Sequence, residues 1–369
     1  IVVIGASGEA GALAFAFFVN DLCGGTLSPM TRKFAATAAI LVATVLNLMP
    51  TKASGWTAAA LTVVKIALVA GIGLAAFALA NGSWAHFELS GAGGLCEEVS
   101  ESARGGTAGF GAAMIGALWA YNGWSGAGIM GGEVKDPGRT LPRAPIGGTF
   151  IIIVLYLLIN TAYFYVLTPL EIANVKADGS VAREAVVRFL GPGAAGIMAC
   201  ALMLSSYGTI HVGSLWAPRL PYALARDGLL PRFLAHVSPR GVPIAAVWVC
   251  GALAGAFVFS GEFDLITDIY VFILWVFYGL TCASLFVLRR KYPDAPRPFR
   301  VWGYPVVPIL FLLVTAFLIV NTLMATPGRA MAGLGLIAIG LPVYWYYAPR
   351  ARPMNELDWF GDRNERAGS

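Results

Sequence analysis

The stretch LWAYNGWSGAGIMGGEVKDPGRTLPRA, residues 118–144, joins an apolar segment to a polar loop and breaks the rules of a helix before the two meet. Gly123, Gly126, Gly128, Gly131 and Gly132 stand beside Asn122 and Ser125. Glycine loses more chain entropy in a helix than any other residue, so this centre favours unwound backbone. In membrane transporters, a helix that unwinds near the midplane frees its N–H and C=O groups to bind substrate. The other reading is a glycine-rich face for close helix packing. Trp119, Tyr121 and Trp124 flank the break and supply side chains able to occlude a small ligand.

Outward from this stretch, the chain is too apolar for water. Of 369 residues, 58% are hydrophobic and 12% charged, with a mean hydropathy of +0.72. A soluble surface needs roughly a quarter charged residues, and the same numbers exclude disorder, collagen and coiled coil. Ten apolar stretches are long enough to cross a bilayer as helices: 1–22, 34–50, 57–80, 108–131, 147–168, 192–217, 243–260, 265–288, 304–325 and 330–347. None shows the short alternating segments of a β-barrel. The expectation is an all-α polytopic bundle over 1–349 with a cytoplasmic tail at 350–369.

Placing the C-terminus inside puts seventeen Lys and Arg residues on inner segments and seven on outer ones, with Lys65 left within a span. Arg32 and Lys33 are a local exception. The net charge of +5 is thus a signal of topology. It does not point to nucleic acid, because the basic residues are scattered and lack an aromatic–basic patch. The chain starts at Ile1 within an apolar run, with neither the charged region nor the cleavage site of a signal peptide. The expectation is that residues precede it.

Ionisable residues within spans are expensive and therefore informative. Lys65 is the clearest, at the ninth position of 57–80. One reading has it snorkel to the surface. The preferred one has its ammonium facing the bundle interior, where another carrier would hold a metal ion. Glu9, in the run GASGEAGA, is read as burial near an inner vestibule ahead of proton coupling. His211 is read as a helix-packing histidine, and Asp268 as a group reaching water near the outer end. Three histidines and no Cys/His cluster make a metal site improbable, and no cofactor is expected. Neither paired carboxylates nor a Ser/His set occurs within the spans, which places a membrane enzyme last.

Immediately after the break, GGEVKDPGRTLPRA (131–144) resembles the E-V-K-N/D-P-x-R-x-L/I-P-x-A signature of the amino acid–polyamine–organocation superfamily. Residues 205–243, SSYGTIHVGSLWAPRLPYALARDGLLPRFLAHVSPRGVP, resemble that family's eighth helix and the following inner loop. AYNGW (120–124) resembles the A-Y-x-G-W of L-type amino acid transporters and their bacterial relatives. The resemblance implies a LeuT-like inverted-repeat bundle in the plasma (inner) membrane, with the ten spans standing for family helices three to twelve. It further implies an upstream apolar helix rich in Gly-Ser-Gly that carries half of the amino-acid site.

By the same resemblance, Trp119 takes the aromatic gate position of helix six, where many L-type members have Phe. Ala120, Tyr121, Asn122 and Gly123 supply the unwound backbone that holds the substrate α-amino group. Asn122 departs from the Gly of the mammalian L-type pattern. Trp275 corresponds to a pocket-side aromatic of helix ten. Lys65 matches the helix-five lysine at the position of the sodium site in ion-coupled relatives, with Ser205 and Thr209 on helix eight as acceptors. A fixed ammonium there implies sodium-independent transport. No acidic side chain lines the break, which favours a small neutral amino acid. Exchange is the first expectation and proton symport the second, with a membrane-embedded amino acid sensor as the rival from another class. Cys23 falls in the outer loop where mammalian L-type members bond a heavy chain, but its spacing differs. It is read as a loop thiol with no heavy-chain partner, and a bridge to Cys96 has no spacing rule behind it.

Overall fold

The computed structural model describes residues 2–88, 106–175, 179–260, 263–295 and 297–350. The side chains of Glu9 and Asp268, the residue Cys96 and the tail from 351 onward lie outside the described residues. Each of the ten apolar stretches forms helix. The first three are α1 (Val2–Leu22), α2 (Pro29–Leu46) and α3 (Thr51–Leu79). In place of one helix over 108–131 there are two, α4 (Gly106–Ala120) and the single turn α5 (Gly126–Ile129). α6 (Pro137–Val166) is followed by the short α7 (Pro169–Ala173) and α8 (Val181–Leu190). α9 (Ala194–Trp216) leads into α10 (Arg219–Arg226). The last four are α11 (Ile244–Ser260), α12 (Phe263–Lys291), α13 (Val306–Ala325) and α14 (Pro327–Tyr347). No strand occurs among the described residues, and seven helices are long and apolar enough to cross a membrane. The chain is a polytopic helical membrane protein.

Several helices start before their apolar stretch does. α3 begins at Thr51 where the hydropathy begins at 57, and α6 at Pro137 where it begins at 147. Hydropathy marks where the chain enters lipid, whereas capping and proline mark where the helix starts. Ser28 caps α2 by accepting from Thr31 N–H at 3.1 Å, with Pro29 in the first turn. Asp136 adopts a left-handed φ of 46° ahead of Pro137, which turns the polar loop into α6.

Small residues let the helices approach closely. Ala12 and Ala16 of α1, Ala36, Ala39 and Ala43 of α2, Ile210 of α9, and Ala254 and Val258 of α11 form one buried cluster. Lipid tails are as apolar as leucine, so close van der Waals packing of this kind holds membrane helices together. The connections sort to two ends. One gathers Thr51, Glu133 and Arg219, and brings Gly138 against Pro298. The other pairs Asp21 with Arg183 at 3.0 Å and ties Ser83 N–H to the Tyr165 carbonyl at 2.9 Å.

At that second end, Thr168 and Glu171 form a capping box on α7, and Glu171 accepts from Arg188 of α8 at 2.6 Å. The Thr168 backbone N–H and then the Arg188 guanidinium pull the Glu171 carboxyl from its ordinary 4.5 down to about 2. A carboxyl depressed in the folded state stabilises it above the ordinary value and loses that contribution as pH falls from about 4.5 to about 2. Thermal melts in detergent are expected to drop more steeply across this window for the wild type than for Glu171→Gln. Parallel slopes would remove the assignment.

Candidate functional site

The helix break is real backbone geometry. α4 ends at Ala120, residues 121–125 form turns, and α5 begins at Gly126. Gly123 has φ +110°, a conformation that residues with a side chain rarely adopt. Gly126 is buried under the Trp216 indole, where a Cβ would come within 2.9 Å of the ring. One glycine therefore lets the chain unwind, and the other lets the resumed helix dock on the end of α9.

Unwinding changes which backbone groups are spoken for. The Trp119 carbonyl accepts from Asn122 N–H at 3.0 Å, and the Gly123 carbonyl from Gly126 N–H at 3.1 Å. The Ala120 carbonyl accepts from the Tyr156 hydroxyl of α6 at 2.8 Å, with the Tyr156 ring edge-on to Tyr121 at 5.0 Å. Among the described residues, the carbonyls of Tyr121 and Asn122 receive no hydrogen bond. Tyr121 and Asn122 are half-buried, so these two carbonyls are acceptors open to a donor that enters beside the break.

These residues line a cavity of about 450 Å³ between α4, α6, α9 and α12. That volume lies within the range of small-molecule sites. Trp119, Tyr121, Asn122 and Gly123 of the break line it together with Trp275 and Tyr278 of α12, Thr149 of α6 and Val212 of α9. Trp275 packs edge-on to Tyr278 at 5.8 Å and tilted against Phe311 at 5.9 Å. No Asp, Glu, Lys, Arg or His is in the lining. Of the residues read from sequence as substrate contacts, all but Ala120 line the cavity; Ala120 abuts it and is bonded to Tyr156.

Lys65 lies elsewhere. It is the fifteenth of the 29 residues of α3, about 21 Å from the helix start and so near its middle. The ninth position expected from the apolar stretch becomes mid-helix because α3 starts earlier. Its ammonium donates to Thr209 Oγ1 of α9 at 2.7 Å, and that hydroxyl bonds the Ser205 carbonyl at 3.4 Å. Thr209 is thus the side-chain acceptor, while Ser205 meets the pair through its backbone. None of the three lines the cavity.

Two polar groupings lie outside the cavity, and His211 in the second is the helix-packing histidine expected from the sequence. Arg219, only 5% exposed, donates from Nε to Glu133 Oε1 at 2.8 Å, from Nη2 to Thr51 Oγ1 at 3.1 Å and from Nη1 to the Leu215 carbonyl at 2.6 Å. It joins the starts of α3 and α10 to the loop after the break. His211, fully buried, places Nε2 at 3.2 Å from the Ser54 carbonyl. Asn47 Nδ2 donates to the His211 carbonyl at 3.2 Å, so α2, α3 and α9 share one polar knot. Tyr156, Tyr270 and Tyr278 join the site without a motif to mark them. Hydroxyls in the midst of apolar spans, with the last two eight residues apart on one helix, were the available signal.

The amino acid permease family matches residues 1–345. The serine/threonine exchanger SteT of Bacillus subtilis is 28% identical over 310 residues, 83% of this chain and 67% of that protein. The human b(0,+)-type amino acid transporter 1 is 30% identical over 302 residues, 80% of this chain and 58% of that protein. The human large neutral amino acids transporter small subunit 2 is 35% identical over 247 residues, covering 64% and 44%. The chain therefore spans between 44% and 67% of the length of these relatives. Because one of them is named as a small subunit, the expectation of no partner chain does not carry over. A match over nearly the whole chain, on a polytopic helical bundle broken in one of its helices, places this protein in the amino acid permease family of transporters.

Proposed function

We propose that the full-length protein is a secondary transporter of small neutral amino acids that works by alternating access as a sodium-independent exchanger. The observation that carries this is the pair of unbonded carbonyls at Tyr121 and Asn122, beside a cavity whose lining holds no Asp, Glu, Lys, Arg or His. Carbonyls held in low dielectric suit an ammonium donor, as at other interrupted membrane helices. The lining suits a substrate side chain of no charge, because a charged one would find no partner there. Trp119 and Trp275 supply aromatic walls. The basic end that holds Arg219 and Glu133 is read as cytoplasmic, with the C-terminus on the same side. The exchanger among the relatives supports exchange as the mode.

The test is uptake of labelled serine into liposomes holding the full-length protein. Unlabelled amino acid inside is expected to raise uptake severalfold over empty liposomes, with no change when sodium is replaced by potassium. Uptake into empty liposomes driven by a pH gradient would assign proton symport instead.

A further inference from the structure

The unwound segment is tied to α12 through the side chains of Asn122 and Ser125. Asn122 Oδ1 lies 2.8 Å from the Gly123 N–H. A backbone N–H only donates, so the atom beside it is the oxygen and the amide orientation is fixed. The same oxygen accepts from the Tyr278 hydroxyl at 3.0 Å, and Nδ2 donates to the Tyr270 hydroxyl at 2.9 Å. Tyr278 gives its one proton to Asn122, so its contact with Ser125 Oγ at 3.1 Å is one in which Ser125 donates. Tyr270 and Tyr278 are eight residues apart, about 12 Å along α12, so their phenols hold the break from above and below. Trp124 adds its ring at 4.9 Å from Tyr278.

We propose that Asn122, Tyr270 and Tyr278 are positioning residues that hold 121–125 in the open turn presenting the Tyr121 and Asn122 carbonyls to the cavity. The inference rests on the reading of that cavity as the substrate site. Asn122 then acts on substrate through its carbonyl, while its amide is committed to α12. A helix break has many backbone conformations close in energy, and an unwound turn left to itself would sample them. Three side-chain hydrogen bonds across to a neighbouring helix select one, which lowers the ordering cost that substrate binding would otherwise carry.

The experiment uses Tyr278→Phe in the full-length protein. It keeps the ring contacts with Trp124 and Trp275 and deletes the hydroxyl that bonds Asn122 and Ser125. KM for serine is expected to rise about fivefold with maximal rate nearly kept, the scale of one lost hydrogen bond. Amide hydrogen exchange over 121–126, measured without any amino acid, is expected to quicken by about the same factor. Asn122→Ala should reproduce both effects, and the double variant should add little to either single one. Unchanged KM and unchanged exchange in Tyr278→Phe would overturn the proposal, as would a lower maximal rate with KM unmoved. If the wild type carries no amino acid, the transport reading fails. The exchange rates, which need no substrate, then decide the positioning role alone.

Discussion

Lys65→Ala is expected to lower amino acid exchange by about 10- to 100-fold while leaving the protein as stable as the wild type or more so. A hydrogen bond from a charged donor contributes about 1.5–3 kcal/mol, and each 1.4 kcal/mol is tenfold in an equilibrium. The Lys65–Thr209 bond, at 2.7 Å between the middle of α3 and α9, is of this kind. Alternating access requires helices to shift against one another. A charge-assisted bond made in one arrangement and lost in the other sets their ratio by that factor. Stability moves the opposite way, because a lysine at mid-span costs about 2.5–3.5 kcal/mol to insert and alanine removes the cost. Thr209→Val, which keeps the ammonium and removes its acceptor, should lower exchange in the same direction. Wild-type exchange in Lys65→Ala, measured beside its melting temperature, would sink the assignment.

Features carried by a single residue type were legible in the sequence. Apolar runs gave the ten helical segments, because lipid admits few alternatives to helix. The glycines at 123 and 126 marked the break, since φ +110° and close contact with Trp216 each exclude a side chain. Contacts between residues distant in sequence were not legible. Glu133 lies in one recognised motif and Arg219 in the other, and Arg219 entered only as one of the basic residues of the inner segments. Nothing in either motif says that they meet at 2.8 Å. The Tyr270–Asn122–Tyr278 network was hidden for the same reason, since its members are about 150 residues apart. Asn122 was read as a departure from a glycine pattern, when its side chain is an anchor to α12.

Glu133→Ala is expected to destabilise the protein by about 3–5 kcal/mol, and Arg219→Met by only about 1–2. The two residues form one ion pair, yet their surroundings differ. The Arg219 side chain is 5% exposed and that of Glu133 is 33% exposed. Removing the carboxylate strands a buried guanidinium with the Leu215 carbonyl and Thr51 hydroxyl as its remaining acceptors, neither of them charged. Removing the guanidinium leaves a carboxylate that already reaches water and rehydrates. Methionine fills most of the vacated volume with flexible apolar atoms. The double variant Glu133→Ala/Arg219→Met should therefore be more stable than Glu133→Ala alone, because the second substitution removes the stranded charge. Unfolding in detergent across the four proteins reads this cycle directly. A larger loss in Arg219→Met than in Glu133→Ala would show that the guanidinium is not the costly buried partner. Glu133 lies ten residues after Gly123, so the ion pair anchors the loop that leads out of the break. What fixes that end of the unwound segment is the same bond that ties it to the starts of α3 and α10.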